Sequence, residues 1–161
     1  MTPVVRVVGL GPGDVEQLSE RTQRLVRSAP TVRLRTRVHP AAEAFSQVAS
    51  YDDFYERAAS FESLYAAIVE DLVALAVASP NGEVVYAVPG SPVVAERTVQ
   101  LLLSRDDVRT ICEPAVSVID VACANDLREG GESRARRGPE AQFDRRDLDH
   151  RADPLPIGHC G

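Results

Sequence analysis

Three turns rich in glycine and proline contain the residue types in this sequence that can bind a ligand through the backbone. The first turn, GLGPGD, covers residues 9–14 and directly follows an apolar, β-branched run at residues 4–8. Glycine adopts positive φ without strain and lets the backbone approach another group closely. From its composition, this turn is either a tight strand-to-helix connection or a ligand-facing loop at the carboxyl end of a strand.

The established phosphate-binding motifs do not fit this turn. Asp14 occupies the last position of a G-x-G-x-x-G pattern, where a carboxylate would repel a pyrophosphate at a helix N-terminus. The 161 residues contain no lysine, which excludes a P-loop lysine, a lysine nucleophile and a Schiff base. The residues therefore argue against a dinucleotide site of the Rossmann type.

The sequence also lacks clear motifs for hydrolysis and for metal binding. Ser91 lies in a PGSP turn and not in the G-x-S-x-G motif of a serine nucleophile, and His39 is not placed as an obvious base for it. The three cysteines are widely spaced and form no C-x-x-C pair. We therefore assign no catalytic residue, and we expect neither a metal site nor a disulfide framework.

The overall composition is that of one soluble domain with a mildly acidic surface. The net charge of −6 argues against a nucleic-acid-binding surface. No apolar run reaches the length of a membrane span, and the N-terminus does not resemble a signal peptide. We accordingly expect a cytoplasmic protein with no membrane association.

The turns alternate with predicted strands and helices. Strands are predicted from apolar, β-branched runs at residues 4–8, 83–88 and 108–112, and from the alternation of apolar and arginine residues at residues 31–36. Helices are predicted from apolar residues at helical spacing, over residues 19–29, 61–78 and 93–104. This repetition of strand, loop and helix predicts an α/β domain with a mainly parallel sheet and flanking helices.

The three turns each follow one of the predicted strands. They read GLGPGD at residues 9–14, VPGSP at residues 88–92 and EPAVS at residues 113–117. Ligands of open parallel sheets lie outside the carboxyl ends of the strands, and the three turns meet at that edge. Their common location favours the ligand-facing interpretation of the first turn.

The predicted second strand carries three arginines, Arg33, Arg35 and Arg37, on one face. Alternation of this kind is typical of a half-exposed strand. The arginines form either a solvated strand face or a basic edge beside an anionic ligand, and the spacing allows both.

The composition changes abruptly at Asn125. Arginine, acidic residues, glycine and proline dominate residues 125–161, so we predict a polar tail of low order without a helix or strand of useful length. We divide the chain into a domain of residues 1–124 and this tail. Because no helix cap marks the boundary, we expect the chain to be truncated or frame-shifted there.

Taken in order, the three turns resemble the signatures of the tetrapyrrole methylases, which transfer a methyl group from S-adenosylmethionine to corrin or porphyrin precursors. The resemblance covers residue 4 to about residue 124. LRTRVHP at residues 34–40 and YAVPGSPVVAERT at residues 86–98 are most similar to the methylase-like domain that precedes a MazG-type nucleoside triphosphate pyrophosphohydrolase.

This resemblance implies the N-terminal subdomain of a two-lobed α/β fold with S-adenosylmethionine in the cleft between the lobes. Six residues match cofactor contacts of the family, namely Pro12, Gly90, Ser91, Val94, Ser117 and Val118. Ser91 replaces the usual aspartate, and Ala115 replaces the usual glycine of the third turn. Arg35 and Arg37 occupy positions where some members carry acid or base residues.

The resemblance implies an S-adenosylmethionine-dependent methyltransferase for a small-molecule substrate, in a family whose members are often homodimers. The departures support an alternative from another class, a non-catalytic ligand-binding or regulatory module associated with a MazG-type pyrophosphohydrolase. A third alternative is a fragment that does not fold cooperatively.

Overall fold

Four parallel strands form the sheet of this protein in a computed structural model that describes residues 2–94 and 96–135, the last seven by their backbone alone. The strands are β1 (Val4–Gly9), β2 (Val32–Leu34), β3 (Glu83–Val88) and β4 (Arg109–Cys112). Their order across the sheet is β2-β3-β1-β4, and every pairing is parallel. The predicted α/β class with a mainly parallel sheet is confirmed.

The strand register brings the carboxyl ends of the strands to one edge. Gly9 pairs with Val88, the last residues of β1 and β3, and Val7 pairs with Cys112, the last residue of β4. The predicted ends of β3 and β4 are therefore correct, and β1 extends one residue further than predicted, to Gly9. The turns that follow these strands consequently start side by side.

Helices lie on both faces of the sheet. They are α1 (Glu20–Ser28), α2 (Asp52–Arg57), α3 (Phe61–Ala78), α4 (Arg97–Leu103) and α5 (Val118–Ala135). Ser19 caps α1 as predicted, because its hydroxyl accepts a hydrogen bond from the backbone N–H of Thr22 at 3.1 Å. Among the described residues, no helix is both long and apolar enough to cross a membrane.

The sheet has a hydrophobic core on each face. Val5, Val7 and Tyr86 pack against α3 and α4, whereas Val8 and Val85 pack on the opposite side with residues of α1. Both faces of β1 and β3 are therefore buried, which explains the nearly continuous apolar runs of these two strands.

Two predicted boundaries differ from the structure by two residues or more. The fourth helix begins at Arg97 and not near Val93, because Ser91 and Val94 close a turn through a backbone hydrogen bond of 3.1 Å. This turn leaves the side chain of Val93 exposed. The second strand ends at Leu34, whose backbone N–H donates a hydrogen bond to the carbonyl of Ala49.

The prediction of no useful helix after Asn125 is wrong for the first part of the tail, since α5 continues to Ala135. Leu127, Arg128 and Ala135 in this segment have high helix propensity, whereas Gly130 and Gly131 have low propensity, and no regular apolar stripe marks the helix. Residues 136–161 of the predicted tail lie outside the described residues. Residues Met1–Ala124 form one compact unit, and the division into two domains stays a prediction.

A network of ion pairs connects the third turn to the rest of the domain. The buried carboxylate of Glu113 accepts hydrogen bonds from Arg6 of β1 at 2.6 Å and from Arg21 of α1 at 2.6 Å. Arg6 also donates to Glu83, the first residue of β3, at 2.8 Å. Four charged side chains thus link two strands, a helix and the turn after β4.

We expect Glu113→Gln to lower the free energy of unfolding by about 2 kcal/mol at pH 7, because it removes the buried negative charge that Arg6 and Arg21 share. Hydrogen bonds from Arg21 and Arg6 outweigh burial and lower the pKa of Glu113. The contribution is therefore complete above the unfolded pKa of about 4.3 and is lost as the pH falls through the folded value.

Urea unfolding of wild type and Glu113→Gln between pH 7 and pH 3 measures this difference. The matched control is Glu70→Gln, which removes a carboxylate that is paired with Arg105 but exposed to solvent, and it should cost less than about 0.5 kcal/mol. Equal losses in the two variants at pH 7 would contradict the assigned role of Glu113.

Candidate functional site

The three predicted turns meet at Gly9, the last residue of β1. A β-carbon placed on Gly9 would lie 2.3 Å from the carbonyl oxygen of Gly90, 2.5 Å from the β-carbon of Ala115 and 2.9 Å from Pro92. Two of these neighbours belong to the second turn, and one belongs to the third. The turns can approach one another this closely because Gly9 has no side chain.

A pair of backbone hydrogen bonds joins the first two turns. Gly11 donates to the carbonyl of Gly90 at 3.1 Å, and Gly90 donates to the carbonyl of Gly11 at 2.8 Å. Both residues have positive φ, 76° and 68°, a region in which residues with a β-carbon are strained. The two glycines therefore have a specific conformational role in joining the turns.

A pocket of about 300 Å³ opens beside this junction. Its lining includes Pro12 from the first turn and Gly90 and Ser91 from the second, followed by Val94. Val118, at the start of α5, provides a further apolar contact. The structure thus brings together five of the six residues that the resemblance marks as cofactor contacts.

The sixth residue, Ser117, is not among the lining residues of this pocket. Its side chain is buried, and its hydroxyl donates to the carboxylate of Asp120 at 2.9 Å. The same hydroxyl accepts from the backbone N–H of Asp120 at 3.3 Å. Ser117 therefore stabilises the start of α5 and so helps to position Val118.

Two further residues line the pocket and were not predicted as site residues, His39 and Pro89. His39 follows β2 by five residues and lines the pocket from the segment that precedes Pro40. Burial lowers the pKa of the His39 imidazole, with a smaller opposing effect of the Gly11 backbone. The signal in the sequence was the LRTRVHP stretch, which supported the resemblance without assigning a role to the histidine.

A second cavity of about 440 Å³ adjoins the first at Pro89, which lines both. Its polar lining consists of Arg35, Thr36, Asp52 and Tyr55. The Arg35 guanidinium donates to the Tyr55 hydroxyl at 2.9 Å. A ligand in this cavity would meet both hydrogen-bond donors and the acceptor oxygens of Asp52.

The charge of Arg35 is balanced by a buried carboxylate behind the second cavity. Arg35 donates to Glu96 at 2.6 Å, and Glu96 is only 4% exposed. The hydroxyl of Thr98 also donates to Glu96. Burial opposes the charge of Arg35, but the hydrogen bond with Tyr55 and the attraction of Glu96 raise the pKa of the guanidinium.

The three arginines of the second strand therefore have different environments. Arg35 lines the second cavity, whereas Arg37 is exposed and donates to the carbonyls of Ser46 and Val48 at 2.6 Å each. Arg33 donates to the neighbouring carbonyl of Val32. The expectation that the three arginines share one strand face is wrong, because the strand ends at Leu34.

Carboxylate ligands for a metal ion are not clustered in the described part of the chain. No group of three or more histidine, cysteine, aspartate or glutamate side chains is suitably placed between residues 2 and 135. The pocket beside Gly9 is instead lined by backbone, apolar side chains, one hydroxyl and one imidazole. This lining can hold an uncharged ring system through apolar contacts and main-chain hydrogen bonds.

Comparison with known proteins adds three findings. The family model described as Tetrapyrrole (Corrin/Porphyrin) Methylases matches residues 4–155. The uncharacterized protein YabN of Bacillus subtilis (strain 168) is 39% identical over 115 residues, which are 69% of this chain and 23% of YabN. The match to the family model extends to residue 155, whereas the sequence motifs of the resemblance end at about residue 124.

Solved structures with the same fold include the uroporphyrin-III C-methyltransferase of Thermus thermophilus. Its structure superposes with a TM-score of 0.55 at 25% identity, over 77% of this chain and 53% of that enzyme. Its complex with S-adenyl homocysteine gives a TM-score of 0.54 at 26% identity, over 74% of this chain and 51% of the other. The chain spans about half the length of these structures and about a quarter of YabN.

The contacts at Gly9 predict that Gly9→Ala lowers the free energy of unfolding by about 3 kcal/mol or more, because the added carbon overlaps backbone and packed side chains of both other turns. Urea unfolding followed by circular dichroism measures the loss. The matched control is Gly13→Ala in the same turn, where the added carbon meets only the amide end of Gln17 at 2.6 Å. Because that flexible side chain can move, the control should lose less than about 1 kcal/mol of unfolding free energy. Similar losses in both variants would argue against the convergence of the turns on Gly9.

Proposed function

The chain belongs to the tetrapyrrole (corrin/porphyrin) methylase family, and from this premise we propose that it acts in S-adenosylmethionine-dependent methyl transfer. The observation that carries the proposal is the convergence of three strand-end turns on Gly9, with five of the six expected contact residues around one pocket. The complex of the uroporphyrin-III C-methyltransferase with S-adenyl homocysteine supports the choice of cofactor.

The lining of the pocket fits an adenosylated sulfur compound. Gly90 has open space where its β-carbon would be, so that a ligand can reach the backbone of the second turn. Pro12 and Val118 supply apolar walls, and Ser91 supplies a hydroxyl. The volume of about 300 Å³ lies at the lower end of the range for small-molecule sites.

When bound, the cofactor would supply a methyl group that is already activated by its positively charged sulfur. The remaining work belongs to this chain's own residues. The rigid junction of Gly11 with Gly90 orients the pocket, since two backbone hydrogen bonds fix both turns. Positioning of this kind accelerates a reaction between two bound molecules without any acid or base from the protein.

We assign the second cavity to the molecule that accepts the methyl group. It adjoins the first at Pro89, so molecules in the two cavities would lie next to each other. Arg35 and Tyr55 provide donors, and Asp52 provides an acceptor, which suits a polar small molecule with both kinds of group. A homodimer, which the family resemblance suggests, and a location in the cytoplasm, which the sequence led us to expect, are further proposals.

A second candidate function is a non-catalytic ligand-binding or regulatory module for a MazG-type pyrophosphohydrolase. The observation that favours it is the pairing of Arg35 with buried Glu96. A guanidinium that is already neutralised provides no acid or base at the end of the second strand. In this alternative, the pocket would bind its ligand without turnover.

Isothermal titration with S-adenosylhomocysteine tests the cofactor site. We expect the wild-type chain to bind, and Val118→Ala to weaken binding roughly fivefold, because two methyl groups are removed from the apolar wall. The matched control is Val93→Ala, which truncates an equally exposed valine that does not line the pocket. Absence of binding both in this chain and in full-length YabN would contradict the proposed function.

Transfer of a labelled methyl group distinguishes the two candidate functions. If the chain is a methyltransferase, label from S-adenosylmethionine should appear in a small acceptor, and Tyr55→Phe should reduce the transfer about fivefold by removing one donor from the second cavity. Binding of S-adenosylhomocysteine without transfer to any acceptor, in YabN as well, would favour the regulatory module.

A further inference from the structure

His39 occupies a fixed position in the wall of the pocket beside Gly9. Its backbone N–H donates to the carbonyl of Arg37 at 2.8 Å, and its own carbonyl accepts from Ala42 at 2.9 Å. A 3-10 turn begins at the next residue (Pro40–Phe45), and the side chains of Ala42 and Phe45 in it are buried. The imidazole is therefore presented by a packed segment.

The two nitrogens of the imidazole have different environments. Nδ1 is buried and has no hydrogen-bond partner among the described residues. A contact with a molecule in the pocket is therefore assigned to Nε2, the other nitrogen of this lining residue. Burial favours the neutral ring, which has one donor and one acceptor nitrogen.

The imidazole is the main polar side chain among the described residues that line the pocket. The other described lining residues are Pro12, Pro89, Gly90, Ser91, Val94 and Val118, none of which carries a charge. Arg37, two residues before His39, directs its guanidinium to the carbonyls of Ser46 and Val48. A hydrogen bond from a ligand to the imidazole would thus form in a largely apolar environment, where it contributes most to affinity.

We propose that His39 is a ligand-binding residue of this pocket and that its Nε2 forms a hydrogen bond with a hydroxyl or amino group of the adenosylated sulfur compound held there. The inference rests on the proposed function, since it concerns the same pocket. It adds a contact from the segment after β2 to those from the turns after β1 and β3. His39 would then select for polar groups on a ligand that the apolar walls alone do not distinguish.

Titration calorimetry with S-adenosylhomocysteine tests this role in the wild-type chain, in His39→Phe and in His39→Gln. We expect His39→Phe to bind about fivefold to tenfold more weakly, since it preserves an aromatic ring but loses the nitrogens. His39→Gln should recover part of the affinity, because its amide can still form a hydrogen bond. The control is His150→Phe, the same change at a histidine that the proposal does not involve.

Long-range ¹H–¹⁵N spectra of the wild-type imidazoles provide a readout that is independent of the variants. The Nε2 resonance of His39, identified by its loss in His39→Gln, should shift on saturation with S-adenosylhomocysteine. If His39→Phe fails to fold, this shift and the affinity of His39→Gln decide the question.

The outcomes separate the two proposals. If the wild-type chain binds, three results would overturn the role of His39 and leave the cofactor site intact. They are an unchanged affinity in His39→Phe, equal losses of affinity in His39→Phe and His150→Phe, and an unshifted Nε2 resonance. Failure of the wild-type chain to bind would overturn the role of His39 in this chain. Failure of YabN as well would overturn the proposed function.

Discussion

The missing side chain of Gly9 is the constraint on which the site depends. Main-chain and side-chain atoms of the other two turns occupy the space where a β-carbon would lie, at 2.3 Å for Gly90 and 2.5 Å for Ala115. Close packing of this kind tolerates no added volume. Once β1 and its neighbours end at the same edge, this one position determines how near the turns can come and therefore where the pocket opens.

Two kinds of interaction hold the turns around that point. Backbone hydrogen bonds between Gly11 and Gly90 join the first turn to the second, and they need positive φ at both residues. The third turn is instead tied by charge, because Glu113 is shared between Arg6 and Arg21. The junction is thus partly geometric and partly electrostatic, and only the electrostatic part depends on pH.

The two cavities differ in the chemistry that their walls provide. Backbone and apolar groups line the first cavity, whereas charged and hydroxyl groups line the second. Among the described residues that line the first cavity, His39 has the titratable side chain. A buried carboxylate at Glu96 holds Arg35 in place. Burial of an ion pair contributes little net stability, so a role in positioning the guanidinium is the better explanation for the pair.

The sequence by itself determined the α/β class, the strands β1 and β3, the helix α3 and five residues of the pocket. These features depend on local periodicity, or on short motifs that keep their order along the chain. The helix beyond residue 124 was missed, because helix propensity without an apolar stripe leaves no periodic signal. Only the tertiary structure decided that His39 lies in the pocket and that Arg35 pairs with Glu96. Each of these depends on where the chain turns after a strand, which long-range packing fixes and the spacing of residues along the sequence does not.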